Sequence, residues 1–520
     1  MALAKPARLV FHAPIESSGG IVRSLRAPVA VALTILVATG PAAGAATGRR
    51  EPDRSVFGPR NVNVSRLTSN QAETSVAINP TDPENIVVTS NLATFRGLLE
   101  AYSSDGGATW KTQIIANGDD LGLACCDSSL AFDSYGNLFL TYLVLTGFHL
   151  PVALSTDGGQ AFHVIDTILP KGGAKGSLPG RSRVSFPDQP TIATGPGSVW
   201  VTYTGGSRIQ AAGAEVRGFG QVGRFTEPEV AVGSNRGHFG DIAVGPDGQV
   251  LVVYQDASGE GPGKIYTDLD PDGLGPAGFD RARFATTTNV GDYDVIPAAA
   301  EVTVDAETGL AWDRTAGTHR GRVYLLWTQE APDESNDLDV LVQFSDDSGL
   351  TWSPPVRVND DASTNSQFDP KIALDQTTGN VAVSWYDCRN DLGTGLPGDT
   401  NGVPNDDAMI YASVSVDGGH SFRRNIRLAA AVSNSADALW SLDFGDYEGL
   451  AFEAGSFYPV WADRLGCGSA SRPDRLQPTC RSVPGPVASD RYRAAVPRQE
   501  SNLETHDLQG RCLVPSGSDQ

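Results

Sequence analysis

Ser103-Ser104-Asp105-Gly106-Gly107-Ala108-Thr109-Trp110 reads as a tight hairpin turn. The Asp carboxylate can accept backbone N–H bonds within such a turn, glycine permits positive φ, and the aromatic residue anchors the turn to the sheet behind it. The pattern Ser-x-Asp-x-Gly-x-[Thr/Ser/Ala]-[Trp/Phe] returns at Ser155 to Phe162, Ser345 to Trp352 and Ser415 to Phe422. Thr267-Asp268-Leu269-Asp270-Pro271-Asp272-Gly273 stands where a degenerate fifth copy is expected. Each copy follows one strand pattern and precedes another.

Around these turns a second repeat runs the length of the chain. A short apolar-Ala-apolar strand is followed by a turn, then by alternating apolar residues that end near a Tyr or Trp. The copies are Val76-Ala77-Ile78, Leu130-Ala131-Phe132, Ile192-Ala193-Thr194 and Ile242-Ala243-Val244. Val302-Thr303-Val304 (with a long turn), Ile372-Ala373-Leu374 and Leu450-Ala451-Phe452 follow. Their spacing of roughly 50 to 75 residues suits one four-stranded blade with its loops. Period-two alternation beside Gly turns is the strand signal. A lone sheet of this kind cannot bury both faces, whereas radial packing can, with the aromatics filling the wedge between blades. The expectation is therefore an all-β fold, a single β-propeller of four-stranded blades. Seven blades are favoured, with Asn61 to Leu67 closing the ring, and six are the alternative.

With four turns in register, residues 61 to 465 resemble the Asp-box (BNR-repeat) propellers of the sialidase superfamily. The resemblance implies that the Asp boxes are peripheral and structural, and that ligands meet a mouth of the central channel. It further implies three arginines gripping a substrate carboxylate, a Tyr nucleophile activated by Glu, and an Asp acid/base. This chain lacks the Arg-Ile-Pro motif of the first blade, where Glu73-Thr74-Ser75-Val76 stands instead.

The loops that enter innermost strands and leave second strands share one face of a propeller. Glu73, Asp127, Asp188, Asp369 and Asp446 precede innermost strands; Asp256, Asp387, Arg389, Asp391, Asp463 and Arg464 follow second strands. Gly445-Asp446-Tyr447-Glu448 is echoed by Gly291-Asp292-Tyr293-Asp294. The candidate catalytic set is Asp446, Tyr447, Glu448 and Asp387, a carboxylic acid giving the proton to the leaving oxygen. The candidate substrate-binding set is Arg389, Arg464, Asp463, Asp127 and Asp369, with Arg96 a distant third arginine. Adjacent residues on an extended chain point apart, which weakens Tyr447 with Glu448 as a nucleophile pair. The competing reading of all these groups is buried Asp–Arg pairs that tie blades together. Asp268, Asp270 and Asp272 have the oxygen spacing of a calcium loop, although Phe279 takes the place of the expected twelfth-position Glu.

Arg23 and Arg26 precede an apolar run from Ala27 to Gly40 and the small-x-small stretch Ala43-Gly44-Ala45. Residues 1–45 thus read as a cleaved signal peptide, too short in its apolar part for a membrane span. Residues 46–60 read as a linker, 61–483 as the propeller and 484–520 as a polar tail. A net charge of −22 argues against nucleic acid and anionic membranes as partners. Only six of the 39 basic residues are lysines, a skew that suggests a GC-rich bacterial source. Of the six cysteines, Cys467 and Cys480 bracket a loop and form the favoured pair. Adjacent Cys125 and Cys126 are disfavoured as partners, and Cys388 and Cys512 remain. These readings converge on a secreted, monomeric propeller that acts on extracellular carbohydrate, most simply a sialidase-like glycoside hydrolase. A non-catalytic glycan-binding or adhesion propeller is the alternative.

Overall fold

In the computed structural model the apolar-Ala-apolar triplets are the innermost strands of a closed ring. The structure describes residues 61–67, 71–171, 186–393, 402–435, 444–463 and 502–503. The signal peptide, the linker, Arg464, Cys467, Cys480 and Cys512, and all but two residues of the tail lie outside that set. Every regular element among the described residues is a strand.

Blades 1 to 6 begin with the strands Ser75–Ile78, Gly122–Phe132, Pro187–Gly195, Gly237–Val244, Gly309–Trp312 and Gln367–Leu374. Each continues outward as an antiparallel meander of four strands, with a further short strand in blades 2, 3 and 6. Six complete blades match the count held as the alternative. The seventh repeat is a smaller sheet, Gly449–Glu453 with Ser456–Ala462, to which Asn502–Leu503 adds in parallel. Its inner strand packs between those of blades 6 and 1 and closes the ring. The aromatics at the second-strand ends, among them Tyr142, Tyr203, Trp327, Trp385 and Trp461, are fully buried. They fill the wedge that opens between neighbouring sheets with distance from the axis.

One strand differs from the sequence reading. The inner strand of blade 5 is centred on Ala311, with Leu310 opposite Leu325 and Trp312 opposite Val323. Val302-Thr303-Val304 instead lies in the hairpin Asp294–Ile296 with Ala299–Val304, inserted between blades 4 and 5. Leu310-Ala311-Trp312 carries the same apolar-Ala-apolar pattern, and its shorter turn to Val323 lets the antiparallel pair form.

The four Ser-x-Asp-x-Gly turns join the third and fourth strands of blades 1, 2, 5 and 6 and share one hydrogen-bond scheme. In the first, Ser103 Oγ donates to Asp105 at 2.8 Å and accepts from Gly107 N–H at 2.9 Å, while Asp105 accepts the Thr109 N–H at 2.8 Å. The other three repeat the Ser-to-Asp and Gly-to-Ser bonds at 2.7 to 3.0 Å. Each later turn also docks on the blade before it. A Cβ on Gly159 would come within 2.7 Å of Val87, and one on Gly419 within 2.9 Å of Tyr324, so both need glycine. In blade 4, Asp270 replaces the serine and accepts the N–H of Gly273 at 2.9 Å.

The seam between first and last blades is sealed by side chains. Thr74 Oγ1 donates to Val460 O at 2.5 Å and accepts the Gly449 N–H at 2.9 Å. Residues 61–67 form no strand, yet they cover this seam. Asn61 donates to Asp463 and accepts the Ala430 N–H at 3.0 Å, and Val64 is buried with Val76, Tyr458 and Val460.

Trp110 is buried in that same cluster, and its indole N–H reaches Gly107 O at 3.1 Å. Trp110→Ala should cost about 3–5 kcal/mol of stability. Chemical denaturation should show the loss, while any ligand binding at the channel should be retained.

Candidate functional site

Counting back from the central alanine of each inner strand exposes a ring of equivalent positions. Four residues before it stand Glu73, Asp127, Gln189, Phe239, Glu307, Asp369 and Tyr447. The first six all have positive φ, between 37° and 53°. In blades 2, 3, 4 and 6 the pairing register slips just beside this residue. A bulge of this kind kinks the strand and re-aims its side chain, here at the channel. Two residues later come Ser75, Ser129, Thr191, Asp241, Gly309, Lys371 and Gly449.

Two cavities occupy the axis. The inner one, about 220 Å³, is lined by residues from all seven inner strands, including Asp241, Glu307, Lys371, Tyr447 and Glu448. The outer one, about 180 Å³, lies beneath the inserted hairpin and is lined by Asp188, Asp292, Tyr293, Glu301, Asp305 and Asp446. Phe239 borders both.

The acids interact strongly. Asn91 donates to Glu73 and accepts the Asp127 N–H at 2.9 Å, placing two carboxyls side by side. Burial pushes Asp127 up to about 6, against hydrogen bonds from Glu73, Gln189 and Asn91. Asp369 lies well above the usual carboxylate range because of burial and then the charges of Glu307, Asp305, Asp446 and Glu448. Asp305 is raised by burial and by Glu307. Burial pushes Glu448 up to about 8. Its Oε1 accepts a bond from Ser384, whereas Oε2 has no hydrogen-bond partner. Lys371 lies 3.1 Å from Glu307 and 5.7 Å from the Tyr447 ring centre. Burial works against its charge, but Glu307 and Asp241 more than compensate and raise its pKa.

Of the residues singled out from sequence, Asp446, Tyr447 and Glu448 face these cavities, and Asp127 and Asp369 belong to the ring. Tyr447 and Glu448 do turn to different partners, Lys371 and Ser384. Asp387 and Arg389 do not reach the channel. The Arg389 guanidinium lies 2.7 Å from both Asp387 and Asp360, bonds Asn425 at 2.8 Å, and covers the Tyr411 ring at 4.4 Å. It is a tie between blades 5 and 6, so the substrate-clamp and catalytic roles expected of this pair give way to the structural one. Asp463 likewise accepts from Ser433 at 2.7 Å and from Asn61, at the ring seam. Arg96 is exposed on its loop. No arginine among the described residues lines either cavity.

The calcium expectation also meets a different geometry. Asp270 and Asp272 accept backbone N–H bonds of their own turn, and burial pushes Asp268 up to about 8. Among the described residues, the one trio of acids with oxygens within 4.8 Å of one another is Asp391, Asp406 and Asp407. Cys125 and Cys126, disfavoured as partners from sequence, form a disulfide beside Asp127, and Cys388 is a buried thiol.

Glu307, Lys371, Asp241 and Asp305 escaped the sequence reading. Glu307 would have been found had Leu310-Ala311-Trp312 been taken as the repeat, since it then falls at the same offset as Glu73, Asp127 and Asp369. Asp241 and Lys371 immediately precede their triplets, a position not considered.

No family model and no curated sequence matches the chain. Among solved structures it is similar to the GH93 α-L-arabinofuranosidase of Fusarium graminearum at 13% identity, over 73% of this chain and 98% of that one, with a TM-score of 0.42. The BP39L lectin from Burkholderia pseudomallei is 12% identical over 69% and 84%, with a TM-score of 0.40. The Hadza microbial sialidase Hz136 is 12% identical over 74% and 61%, with a TM-score of 0.34.

Acids with raised values bind protons more tightly in the folded chain than in the unfolded one. Asp127 and Glu448, ordinarily at 3.8 and 4.5, hold theirs to about 6 and about 8. The stability these two acids contribute is therefore fully present below the ordinary values and is lost as pH rises through the folded ones. Thermal melts should show Tm falling between about pH 5 and about pH 8, and Glu448→Gln should flatten the upper part of that slope.

Proposed function

We propose that the chain is a secreted, monomeric propeller that acts on extracellular glycans at the outer channel mouth, most simply as a glycoside hydrolase. One observation carries this reading: buried carboxyls of unlike environment meet in a polar cavity at the axis. Burial pushes Glu448 up to about 8 and leaves one of its oxygens without a partner; burial raises Glu307 as well, but the Lys371 ammonium beside it works against that rise. A carboxyl that keeps its proton, beside one that an ammonium group stabilises as the anion, would supply a proton donor and a charged partner for an oxocarbenium-like transition state. Glu448 would protonate the leaving oxygen, and Glu307 or Tyr447 would face the sugar carbon. Ser75 and Ser129 accept backbone N–H groups through their oxygens and keep their hydroxyl protons to donate to sugar hydroxyls.

The arrangement does not favour sialic acid. A carboxylated sugar needs cationic forks, and Arg389 is spent between blades while the mouth is acidic. Binding without turnover remains the alternative, favoured by the absence of an arginine clamp from both cavities.

A panel of fluorogenic pyranosides, furanosides and sialosides separates these readings. Hydrolysis of an uncharged or cationic glycoside is expected, with Glu448→Gln lowering kcat by roughly 10²-fold or more. Turnover of sialosides alone, or activity unchanged in Glu448→Gln, would overturn the assignment.

A further inference from the structure

The outer cavity has a composition that selects ligand charge. Its acids, Asp188, Asp292, Glu301, Asp305 and Asp446, are accompanied by no lysine or arginine in its lining. One wall is aromatic. Phe239 and Tyr293 meet edge to face with centroids 5.8 Å apart, and His238, 3.0 Å from Asp292, packs against both rings. Tyr293 remains 41% exposed on the inserted hairpin's approach, so one aromatic surface faces incoming ligand. An aromatic face beside carboxylates is the combination that recognises an organic cation.

A second observation points the same way from below. Glu448, only 1% exposed, lines the inner cavity, and its Oε2 has no hydrogen-bond partner. Such an orphan acceptor is costly unless a ligand or ordered water completes it. The two cavities share Phe239, and Asp369 feels the charges of Asp305, Asp446 and Glu448 together, so these acids form one electrostatic unit. In the outer cavity a carboxylate-bearing ligand would meet repulsion, and a neutral one would leave the repulsion in place. A cation relieves it.

We propose that this mouth selects glycans bearing a protonated amine, the sugar ring lying against Tyr293 and Phe239 and the ammonium group directed to Asp305 and Asp446. The inference rests on the glycan-acting reading above and narrows its substrate to amino sugars.

Calorimetry with a glucosamine trimer, its N-acetylated counterpart and a glucose trimer tests it. The glucosamine trimer should bind at least about tenfold tighter than the other two, and added salt should erode that margin. Tyr293→Ala should weaken all three ligands by similar factors, whereas Asp446→Asn should remove the preference for the glucosamine trimer. Equal binding of the three trimers would overturn the amine preference while leaving a glycan-acting propeller standing. No binding of any trimer would overturn the preference too, and only failure of the glycoside panel as well would remove the broader reading. Tight calcium binding lost in Glu448→Gln, without any sugar preference, would assign the acids to a metal ion instead.

Discussion

Each inner strand of the ring has one edge that no neighbouring strand of its own blade can satisfy, and in blades 2, 3 and 5 a side-chain acceptor from the blade before meets it. Ser75 Oγ accepts the Leu130 N–H at 3.0 Å, Ser129 Oγ the Ile192 N–H at 3.1 Å, and Asp241 the Leu310 N–H at 2.8 Å. Across the seam the sense is reversed, and Thr74 of blade 1 accepts the Gly449 N–H of the last sheet. A buried N–H left without such a partner would cost about 1–3 kcal/mol. Closing the ring therefore obliges the channel to be polar. The apolar wedge of Trp and Tyr residues lies farther out and drives the packing, but the inner stitches fix which blade follows which.

The same division explains where the charges went. Arginines are placed at the perimeter, where their forks span neighbouring blades: Arg389 joins Asp387 to Asp360, and Arg322 holds Asp346 at 2.7 Å while donating to Gly418 O at 2.7 Å. There the wedge is wide enough for a long side chain. Near the axis the strands crowd, and short acceptors fit. Acids consequently accumulate around the channel with Lys371 as a close cationic partner of Glu307, and burial together with mutual repulsion raises several of them well above the usual carboxylate range.

The blades were legible because their signals are local: alternation, a Gly turn and a terminal aromatic recur whatever the tertiary setting. The ring at Glu73, Asp127 and Asp369 was legible for a related reason, since a fixed offset from a recognisable triplet fixes direction as well as height. Loops after second strands gave no such guide. Chain position placed Asp387, Arg389 and Asp463 on the correct face but not at a radius, and all three lie away from the axis. Blade 5 misled because a true apolar-Ala-apolar strand, Leu310 to Trp312, was preceded by a similar triplet in the inserted hairpin. That one displaced triplet concealed Glu307.

Equivalent positions around an axis would by themselves build a symmetric channel, and a symmetric channel has no way to orient an asymmetric ligand. This chain breaks the symmetry in a directed manner. At the position nearest the triplet, blades 1 to 3 carry Ser75, Ser129 and Thr191, whereas blades 4 and 6 carry Asp241 and Lys371. Two residues earlier, Phe239 and Tyr447 interrupt the polar series with aromatic surface. At the position next to the triplet, one side of the channel thus offers neutral hydroxyls and the other offers charges, with rings two residues earlier. The inserted hairpin between blades 4 and 5 rises on the charged side and adds Tyr293 and Glu301 there. Insertion, lysine, aromatics and the orphan oxygen of Glu448 all fall on blades 4 to 7, while the hydroxyl stitches of blades 1 to 3 hold the ring closed. Scaffold and site are therefore built from equivalent positions of one repeat, separated by which blade each residue occupies.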